Sequence, residues 1–203
     1  MSEKIVIIDY GMGNLHSVNK AMLSVGAKVT ISSDPKEVVA ADKVILPGVG
    51  AFGDCMKNLE SYHLVESINE VINKGKPFIG ICLGLQLLFE GSEETPQIKG
   101  LGIFQGQVEK IKTAYKIPHM GWNKLEIQND AKLLKDVNNE FVYFVHSYHA
   151  QPKDKSIVTA TCDYGTEIVA AVGRGNVQAV QFHPEKSSQT GLKILKAFKE
   201  WKI

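Results

Sequence analysis

A cysteine with a glycine two residues before it and another two residues after it is the residue best suited to chemistry. In residues 76–89, an apolar run at residues 77–81 precedes Cys82, and a leucine-rich run begins at Leu83. The first run predicts a buried parallel strand and the second predicts a helix. Glycines relieve crowding where a strand turns sharply into a helix, and the helix dipole favours a thiolate at that end. We interpret Cys82 as a nucleophile rather than as an inert buried thiol.

A histidine and a glutamate near the C-terminus supply the other groups that a cysteine nucleophile needs. Residues 178–182 predict a strand, and His183, Pro184 and Glu185 follow at its carboxyl end. Sites in open α/β sheets form outside the carboxyl ends of strands, where Cys82 is also expected. His183 would exchange a proton with the thiol, and Glu185 would hold the other ring nitrogen. We interpret the three as a catalytic set, rather than His183 and Glu185 as an exposed turn.

A glycine-rich segment after the third predicted strand has the features of an oxyanion-binding site. Residues 47–50 read Pro-Gly-Val-Gly, so their backbone amides are unobstructed. The oxyanion that develops on an attacked carbonyl needs N–H donors of this kind, and the N–H of Leu83 is a second candidate. The alternative is an ordinary turn at the end of a strand.

The order of the predicted elements indicates an α/β fold. In the first half, short apolar runs such as residues 4–8 and 43–46 alternate with helical patterns such as residues 15–25. This alternation predicts a parallel, doubly wound sheet with right-handed crossovers. Later segments are mostly strand-like, and the run from Ser188 again has helical spacing. We predict one domain over residues 1–203, with an open, mostly parallel central sheet flanked by helices and an antiparallel extension.

The composition of the chain argues against several classes of protein. The 203 residues carry a formal net charge of +1, so no long-range field favours nucleic acid or an anionic membrane as a partner. No apolar run is long enough to span a bilayer, and the first residues lack the layout of a signal peptide. The three cysteines are odd in number and form no Cys-x-x-Cys pair. They favour a reducing cytoplasm over disulfides or a zinc site, and we interpret Cys55 and Cys162 as packing residues.

A dinucleotide site is the other motif to consider. Gly11 and Gly13 follow the first predicted strand, and Asp34 lies at a suitable distance along the chain, but a third glycine is missing. A short Gly-x-Gly pattern is weak on its own. We expect no cofactor and no metal.

The elbow and the C-terminal motif resemble those of class I (triad) glutamine amidotransferases. The motifs are Gly-Ile-Cys-Leu-Gly-Leu-Gln at residues 80–86 and Phe-His-Pro-Glu at residues 182–185. The finer resemblance covers nearly the whole chain and is to the glutaminase subunits of imidazole glycerol phosphate synthases. It is carried by residues 9–15, 47–50, 118–123, 143–148 and 181–187. The Met-Gly-Trp-Asn segment at residues 120–123 selects this subfamily.

The resemblance implies roles for individual residues. Cys82 would attack the side-chain amide of L-glutamine, and His183, oriented by Glu185, would protonate the leaving ammonia and then activate water. The oxyanion would be held by the N–H groups of Val49 and Leu83. The positions that match glutamine-holding residues of the family are Gly50, Gln86, Ser147 and Tyr148. The positions that match residues near the interface with a partner are Asn14, Trp122, Tyr143 and Lys186.

The resemblance also implies a partner. Ammonia would pass to a (β/α)8 cyclase subunit in a heterodimer, which makes imidazole glycerol phosphate and AICAR in histidine biosynthesis. The glutaminase would be nearly silent until the cyclase binds its ligand, because the segment at residues 47–50 must turn an N–H inward. Three alternatives stay open: a glutaminase that feeds a different synthase, for example one that amidates a surface sugar; a pyridoxal phosphate synthase glutaminase; and a non-catalytic regulatory scaffold.

Overall fold

An eight-stranded sheet forms the centre of the computed structural model, which describes residues 3–128 and 131–203. The strands are β1 (Ile5–Ile8), β2 (Val29–Ser32), β3 (Lys43–Gly48), β4 (Phe78–Cys82), β5 (Gly106–Lys110), β6 (His119–Lys124), β7 (Glu126–Ile127), β8 (Phe141–His146), β9 (Tyr148–Pro152), β10 (Val158–Asp163), β11 (Glu167–Arg174) and β12 (Val177–Val180). The helices are α1 (Leu15–Ser24), α2 (Pro35–Ala40), α3 (Phe52–Ser61), α4 (Leu64–Asn73), α5 (Leu83–Gln86) and α6 (Ser188–Glu200). Short 3-10 turns cover Lys155–Ile157 and Pro184–Lys186.

The first part of the sheet is parallel and the second part is antiparallel. Its order is β2-β1-β3-β4-β12-β11-β10-β7, and the pairs from β2 to β12 are all parallel. Strands β11, β10 and β7 continue it in antiparallel pairs. The carboxyl ends of β3, β4 and β12 therefore lie side by side, which is where residues after these strands meet.

Helices cover the parallel strands on both faces. In β1, Val6 and Ile8 pack with helices α2, α3 and α4, whereas Ile5 and Ile7 pack with α1 and α6. All four residues are buried, so the strand is apolar on both faces. Such a run is typical of a parallel strand covered by crossover helices.

Two small antiparallel sheets lie beside the central one. Strand β5 pairs with β9, and β6 pairs with β8 in a register that places Trp122 opposite Tyr143. The β6–β8 sheet buries one face, with Val142 and Phe144, and exposes the other, with Met120 and Trp122. This outer face carries large apolar side chains.

The predicted fold class is confirmed, but some elements differ from the sequence predictions. The helix after Cys82 was expected over residues 83–89 and ends at Gln86. Helices α2 and α3 were not predicted. Among the described residues, no helix is both long and apolar enough to cross a membrane.

Candidate active site

Cys82 occupies a sharp turn between β4 and α5. Its φ of 56° and ψ of −111° are values that a residue with a side chain rarely adopts. A Cβ added to Gly80 would lie 2.7 Å from the carbonyl oxygen of Gly84, and one added to Gly84 would lie 2.0 Å from that of Leu46. Only glycine fits these two positions, as expected from the sequence. A strained backbone of this kind persists where the surrounding structure enforces it, and such residues cluster at functional sites.

His183 and Glu185 form a buried pair beside this turn. His183 Nδ1 lies 2.8 Å from Glu185 Oε1, and both side chains are almost completely buried. The other ring nitrogen, Nε2, has no conventional hydrogen-bond partner among the described residues. Cys82 interacts with the imidazole of His183. Because Glu185 holds Nδ1, Nε2 is the ring nitrogen available to the Cys82 sulfur. The structure brings Cys82, His183 and Glu185 together, as predicted.

The electrostatics of this set favour a charged imidazolium. Burial by itself lowers the pKa of His183, but hydrogen bonds and charges from Cys82 and Glu185 outweigh burial and raise the pKa to about 10. In contrast, burial raises the pKa of Cys55 to about 11 and that of Cys162 to about 12. These two thiols stay protonated and inert at neutral pH, in agreement with their prediction as packing residues.

The backbone of His183 is fixed by strand β8. Its N–H donates to the carbonyl of Tyr143 over 2.9 Å, and its carbonyl accepts from the hydroxyl of Ser187 over 2.6 Å. The same hydroxyl accepts from the N–H of Tyr143 over 3.0 Å. The backbone of His183, three residues beyond the end of β12, is therefore held by β8 and by Ser187.

The glycine-rich segment after β3 runs past the elbow. The hydroxyl of Tyr10 donates to the carbonyl of Pro47 over 2.8 Å, and the Cys55 sulfur lies 3.4 Å from the carbonyl of Val49. These contacts hold the carbonyls on either side of the Gly48–Val49 peptide. Gly50 has a φ of 96°, which lets the chain leave the strand.

A cavity of about 340 Å³ lies over the nucleophile. Its lining includes the predicted oxyanion residues Val49 and Leu83 and all four residues predicted to hold substrate, namely Gly50, Gln86, Ser147 and Tyr148. Cys82 and His183 also line it. The cavity is large enough for an amino acid, and it puts a carboxamide within reach of the thiol.

Three further residues of this site were not singled out in the sequence. Glu94 and His146 line the cavity, and Gln181 Nε2 lies 3.9 Å from Cys82 Sγ. Glu94 Oε2 also accepts from the N–H of Phe52, at the start of α3, over 2.7 Å. The only signal for Glu94 was an acidic run after the elbow. Gln181 belongs to the quoted C-terminal motif, but its direction depends on contacts that spacing does not reveal.

The residues predicted to face a partner fall into two groups in the structure: Trp122 and Tyr143 on the β6–β8 sheet, and Lys186 and Asn14 beside His183. Trp122 is exposed and meets Tyr143 edge-to-face, with their ring centroids 6.1 Å apart. Lys186 lines the cavity, and the side chain of Asn14 caps α1 next to Glu185. Together with Met120 and Phe141, the aromatic pair forms an exposed apolar surface, which we call the hairpin face.

Comparisons with known proteins show which family the chain resembles along its length. Residues 6–201 match the family model for Glutamine amidotransferase class-I. The chain is 52% identical to the imidazole glycerol phosphate synthase subunit HisH of Aquifex aeolicus, over 97% of this chain and 96% of that one. It is also 52% identical to the HisH subunit of Syntrophotalea carbinolica, over 96% of this chain and 98% of that one.

The solved structures agree at the level of the fold. One described as a glutamine amidotransferase superposes with a TM-score of 0.76 at 18% identity, covering 95% of this chain and 98% of that one. The structure of PurLQS from Thermotoga maritima gives 0.75 at 18% identity, covering 98% of each chain.

The fold and the elbow site are those of a class I glutamine amidotransferase, the enzyme class that the sequence motifs predicted. Within that class, the chain belongs to the family of imidazole glycerol phosphate synthase subunit HisH. The predicted family and enzyme class are thus confirmed.

Proposed function

We propose that this chain hydrolyses L-glutamine to glutamate and ammonia and passes the ammonia to a (β/α)8 cyclase subunit. The cyclase would use it to make imidazole glycerol phosphate and AICAR in histidine biosynthesis. The observation that carries the proposal is the strained Cys82 elbow, with the His183–Glu185 pair beside it, in one cavity. We propose that residues 1–203 act as a single glutaminase domain in the cytoplasm, since the three cysteines are unpaired thiols.

The first half of the reaction forms a thioester. Cys82 Sγ attacks the amide carbon of glutamine, and the amide oxygen becomes an oxyanion. The N–H groups of Val49 and Leu83 are the donors that would hold it, since both residues line the cavity beside Cys82. The tetrahedral intermediate then collapses, and the C–N bond breaks as His183 gives its proton to the leaving ammonia.

The second half returns the free enzyme. His183, now neutral, takes a proton from water, which attacks the thioester carbon and displaces the Cys82 sulfur. Glutamate leaves, so one glutamine and one water give one glutamate and one ammonia. Glu185 keeps Nδ1 protonated in both halves, which leaves Nε2 as the nitrogen that moves protons.

Recognition of glutamine uses the rest of the cavity. Gly50, Gln86, Ser147 and Tyr148 are proposed to hold the substrate. Glu94 is a carboxylate at the same cavity and provides a partner for the α-ammonium group of an amino acid. Lys186, whose charge is opposite to that of Glu94, also lines the cavity.

The hairpin face is the proposed docking surface for the cyclase. Trp122 and Tyr143 form its centre. Asn14 and Lys186 are proposed to contact the same partner, and each lines a cavity that also contains His183. Exposed apolar surface that contains a tryptophan is typical of an interface anchor. Val145, on the same side of β8, lines the cavity, so a partner on this face would lie next to the point where ammonia is released.

The proposal is tested by measuring glutamate release from glutamine in three mixtures: the chain alone, with the cyclase subunit, and with the cyclase plus its ribonucleotide ligand. Cys82→Ala serves as the blank. We expect a large rise only in the third mixture and no release by the variant. Equal release in all mixtures would instead favour a glutaminase for a different synthase. No release in any mixture would favour a scaffold, and release by Cys82→Ala would exclude Cys82 as the nucleophile.

A further inference from the structure

A chain of hydrogen bonds runs from strand β6 to the Cys82 sulfur, and the mechanism above uses only Gln86 and Tyr148 of it, as residues that hold the substrate. Its members are Asn123, His119, His146, the carbonyl of Tyr148, Gln86 and Gln181. We call it the amide–imidazole relay. The side chains of His119, His146, Gln86 and Gln181 are all buried.

The proton positions in the relay follow from one carbonyl. The oxygen of Tyr148 only accepts, so His146 Nδ1, at 2.8 Å, must carry a hydrogen. Neutral His146 then has a lone pair on Nε2, which accepts from His119 Nδ1 over 2.9 Å. His119 Nε2 in turn accepts from Asn123 Nδ2 over 3.3 Å. Burial lowers the pKa of His119 to about 4 and that of His146 to about 3, in accord with two neutral rings.

The carbonyl of Tyr148 also determines the orientation of the side-chain amides of Gln86 and Gln181. Gln86 Nε2 lies 2.9 Å from the Tyr148 oxygen, so this atom is the nitrogen and donates. Its second hydrogen points to Gln181 Oε1, also at 2.9 Å. A flipped Gln181 would place N–H against N–H, which is repulsive. The Gln181 Nε2 group therefore faces Cys82 Sγ, at 3.9 Å.

We propose that the amide–imidazole relay sets the direction of the Gln181 amide, so that Gln181 donates an N–H to the Cys82 thiolate. Gln181 then contacts the reacting atom, while Gln86, His146 and His119 act as positioning residues. The inference rests on the proposed function only in taking Cys82 as the nucleophile. The titratable groups that interact with Cys82 include His183, Tyr10 and Cys55, and Gln181 adds a neutral donor to them.

The physical reason is that a thiolate needs more than one donor. The imidazolium of His183 neutralises its charge, and an amide N–H adds a fixed dipole without adding a proton that it could lose. A glutamine with its oxygen toward the sulfur would repel the thiolate instead. A relay with one allowed direction prevents that orientation, and a fully satisfied buried network is stiff enough to do so.

The test uses alkylation of Cys82 by iodoacetamide, without glutamine or any partner, at a fixed pH on the rising limb of the pH–rate profile, where the rate is proportional to the thiolate fraction. Gln181→Met keeps the length of the side chain and removes the N–H. Gln181→Glu keeps the shape and places an oxygen at the sulfur. We expect about a tenfold lower rate for Gln181→Met, at the low end for a hydrogen bond to a charged group because the contact is long. Gln181→Glu should be slower still.

The control is Gln178→Met, which removes another buried glutamine of strand β12 that belongs to no part of the relay. Its Cys82 should react at the wild-type rate. An unchanged rate in Gln181→Met would overturn the inference, and so would an equal loss in Gln178→Met. A loss of glutaminase in all mixtures with the expected alkylation order would leave the relay intact and count against the proposed function alone.

A second variant acts from the far end of the relay. His119 is stacked between Phe144 and Tyr164, with ring centroids 4.6 and 4.0 Å apart, so His119→Phe fits the stack and removes only the ring nitrogens. His146 then loses the hydrogen bond to its Nε2, while the Tyr148 carbonyl still holds the hydrogen on Nδ1. We expect a smaller drop in the Cys82 alkylation rate, about threefold, because the lost bond acts through four further hydrogen bonds and not on the sulfur directly. A rate equal to the wild type would contradict a role for the two histidines.

Discussion

Glu185 is, with Cys82, one of the two residues that raise the pKa of His183. Its carboxylate is buried against His183, and the imidazole has its pKa raised to about 10 by Cys82 and Glu185 together. One carboxylate oxygen, Oε2, has no hydrogen-bond partner among the described residues. The contact of Oε1 with His183 Nδ1 is therefore the hydrogen bond that compensates for the burial of this side chain.

Glu185→Gln is expected to lower the pKa of His183 by at least about one unit, since it keeps a hydrogen-bond acceptor and removes the charge. A raised pKa means that His183 stays protonated up to about pH 10 in the wild type. The imidazole nitrogen signals, followed by NMR from pH 6 to pH 11 in the free chain, measure this shift. Glu140→Gln, which removes an exposed carboxylate, should leave His183 unchanged. An unchanged titration in Glu185→Gln would contradict the charge assignment.

The site residues that could be predicted from the sequence are those recognised within one short motif. Cys82 was predicted from its two flanking glycines, and His183 and Glu185 were predicted from a single motif. Glu94 and Gln181 could not be predicted in the same way, because their roles depend on which way a buried side chain points. That direction is set by groups far away in the chain, such as the carbonyl of Tyr148, 62 residues from Gln86.

The turn between β4 and α5 leaves no room for a side chain at Gly80 or Gly84, because other backbone atoms lie too close. Gly84→Ala would put a Cβ 2.0 Å from the Leu46 carbonyl oxygen, and neither backbone segment can give way easily. We expect a loss of about 3 kcal/mol or more in the free energy of unfolding, measured by urea titration.

Gly75→Ala is the matched comparison for this prediction. Its φ of 73° also disfavours alanine, but apart from the adjacent residues no atom in the described part of the chain lies within 4 Å of the added Cβ. The loss should therefore be only about 1 kcal/mol, from backbone conformation alone. Equal losses in the two variants would show that the close approach at Gly84 is unimportant.

The hairpin face gives the second prediction for an element. Trp122 is 53% exposed, so Trp122→Ala should leave the stability of the free chain nearly unchanged. If this face binds the cyclase, the variant should lose about 2 kcal/mol or more of binding free energy, measured by calorimetry with the purified cyclase. Leu23→Ala removes a side chain of equal exposure at the far end of α1 and should bind as the wild type does. Wild-type affinity in Trp122→Ala would place the interface elsewhere.

Element boundaries show why a sequence predicts some elements and misses others. Strand β1 is apolar on both faces and was recognised, as was α6, whose apolar residues recur with helical spacing. Helix α2 has only six residues and contains two adjacent valines, so it is too short to show a helical repeat of apolar residues. His63 precedes α4 in a left-handed conformation, which the local pattern does not predict.

Across the whole molecule, three buried neutral histidines govern the response to acid. Burial lowers the pKa of His119 and His149 to about 4 and that of His146 to about 3. Between these values and about 6.5, the unfolded chain binds protons that the folded chain does not, so stability falls as pH falls. His183, with its raised pKa, is protonated in both states in this range and has no opposing effect.

We expect each of these histidines to add about 1.4 kcal/mol per pH unit to the slope of unfolding free energy between about pH 4.5 and 6. Urea unfolding at several pH values measures the slope. His119→Phe removes one group and should give a shallower slope, whatever its stability at pH 7. The same slope in both proteins would show that His119 is not buried as a neutral ring.

The topology was predictable in outline, because strands and helices alternate up to the elbow and strands dominate after it. The switch from parallel to antiparallel at β12 and β11 was favoured by the Gly-Arg-Gly-Asn hairpin at residues 173–176. Pairing across the chain was not predictable: β12 joins β4 over a separation of about a hundred residues. Nothing in the local pattern specifies that neighbour.

The adjacency of β4 and β12 bears on how this enzyme is controlled. Cys82 ends β4 and His183 lies three residues after the end of β12, and these two strands are hydrogen-bonded parallel neighbours about 4.8 Å apart. The sheet holds the two chain segments close together, so we expect the thiol and the imidazole to be assembled without an activator. We propose that control by a partner would act instead on the neighbouring peptide at Gly48–Val49. An inactive enzyme of this architecture would therefore have an assembled nucleophile, which still reacts with alkylating agents while it fails to hydrolyse its substrate.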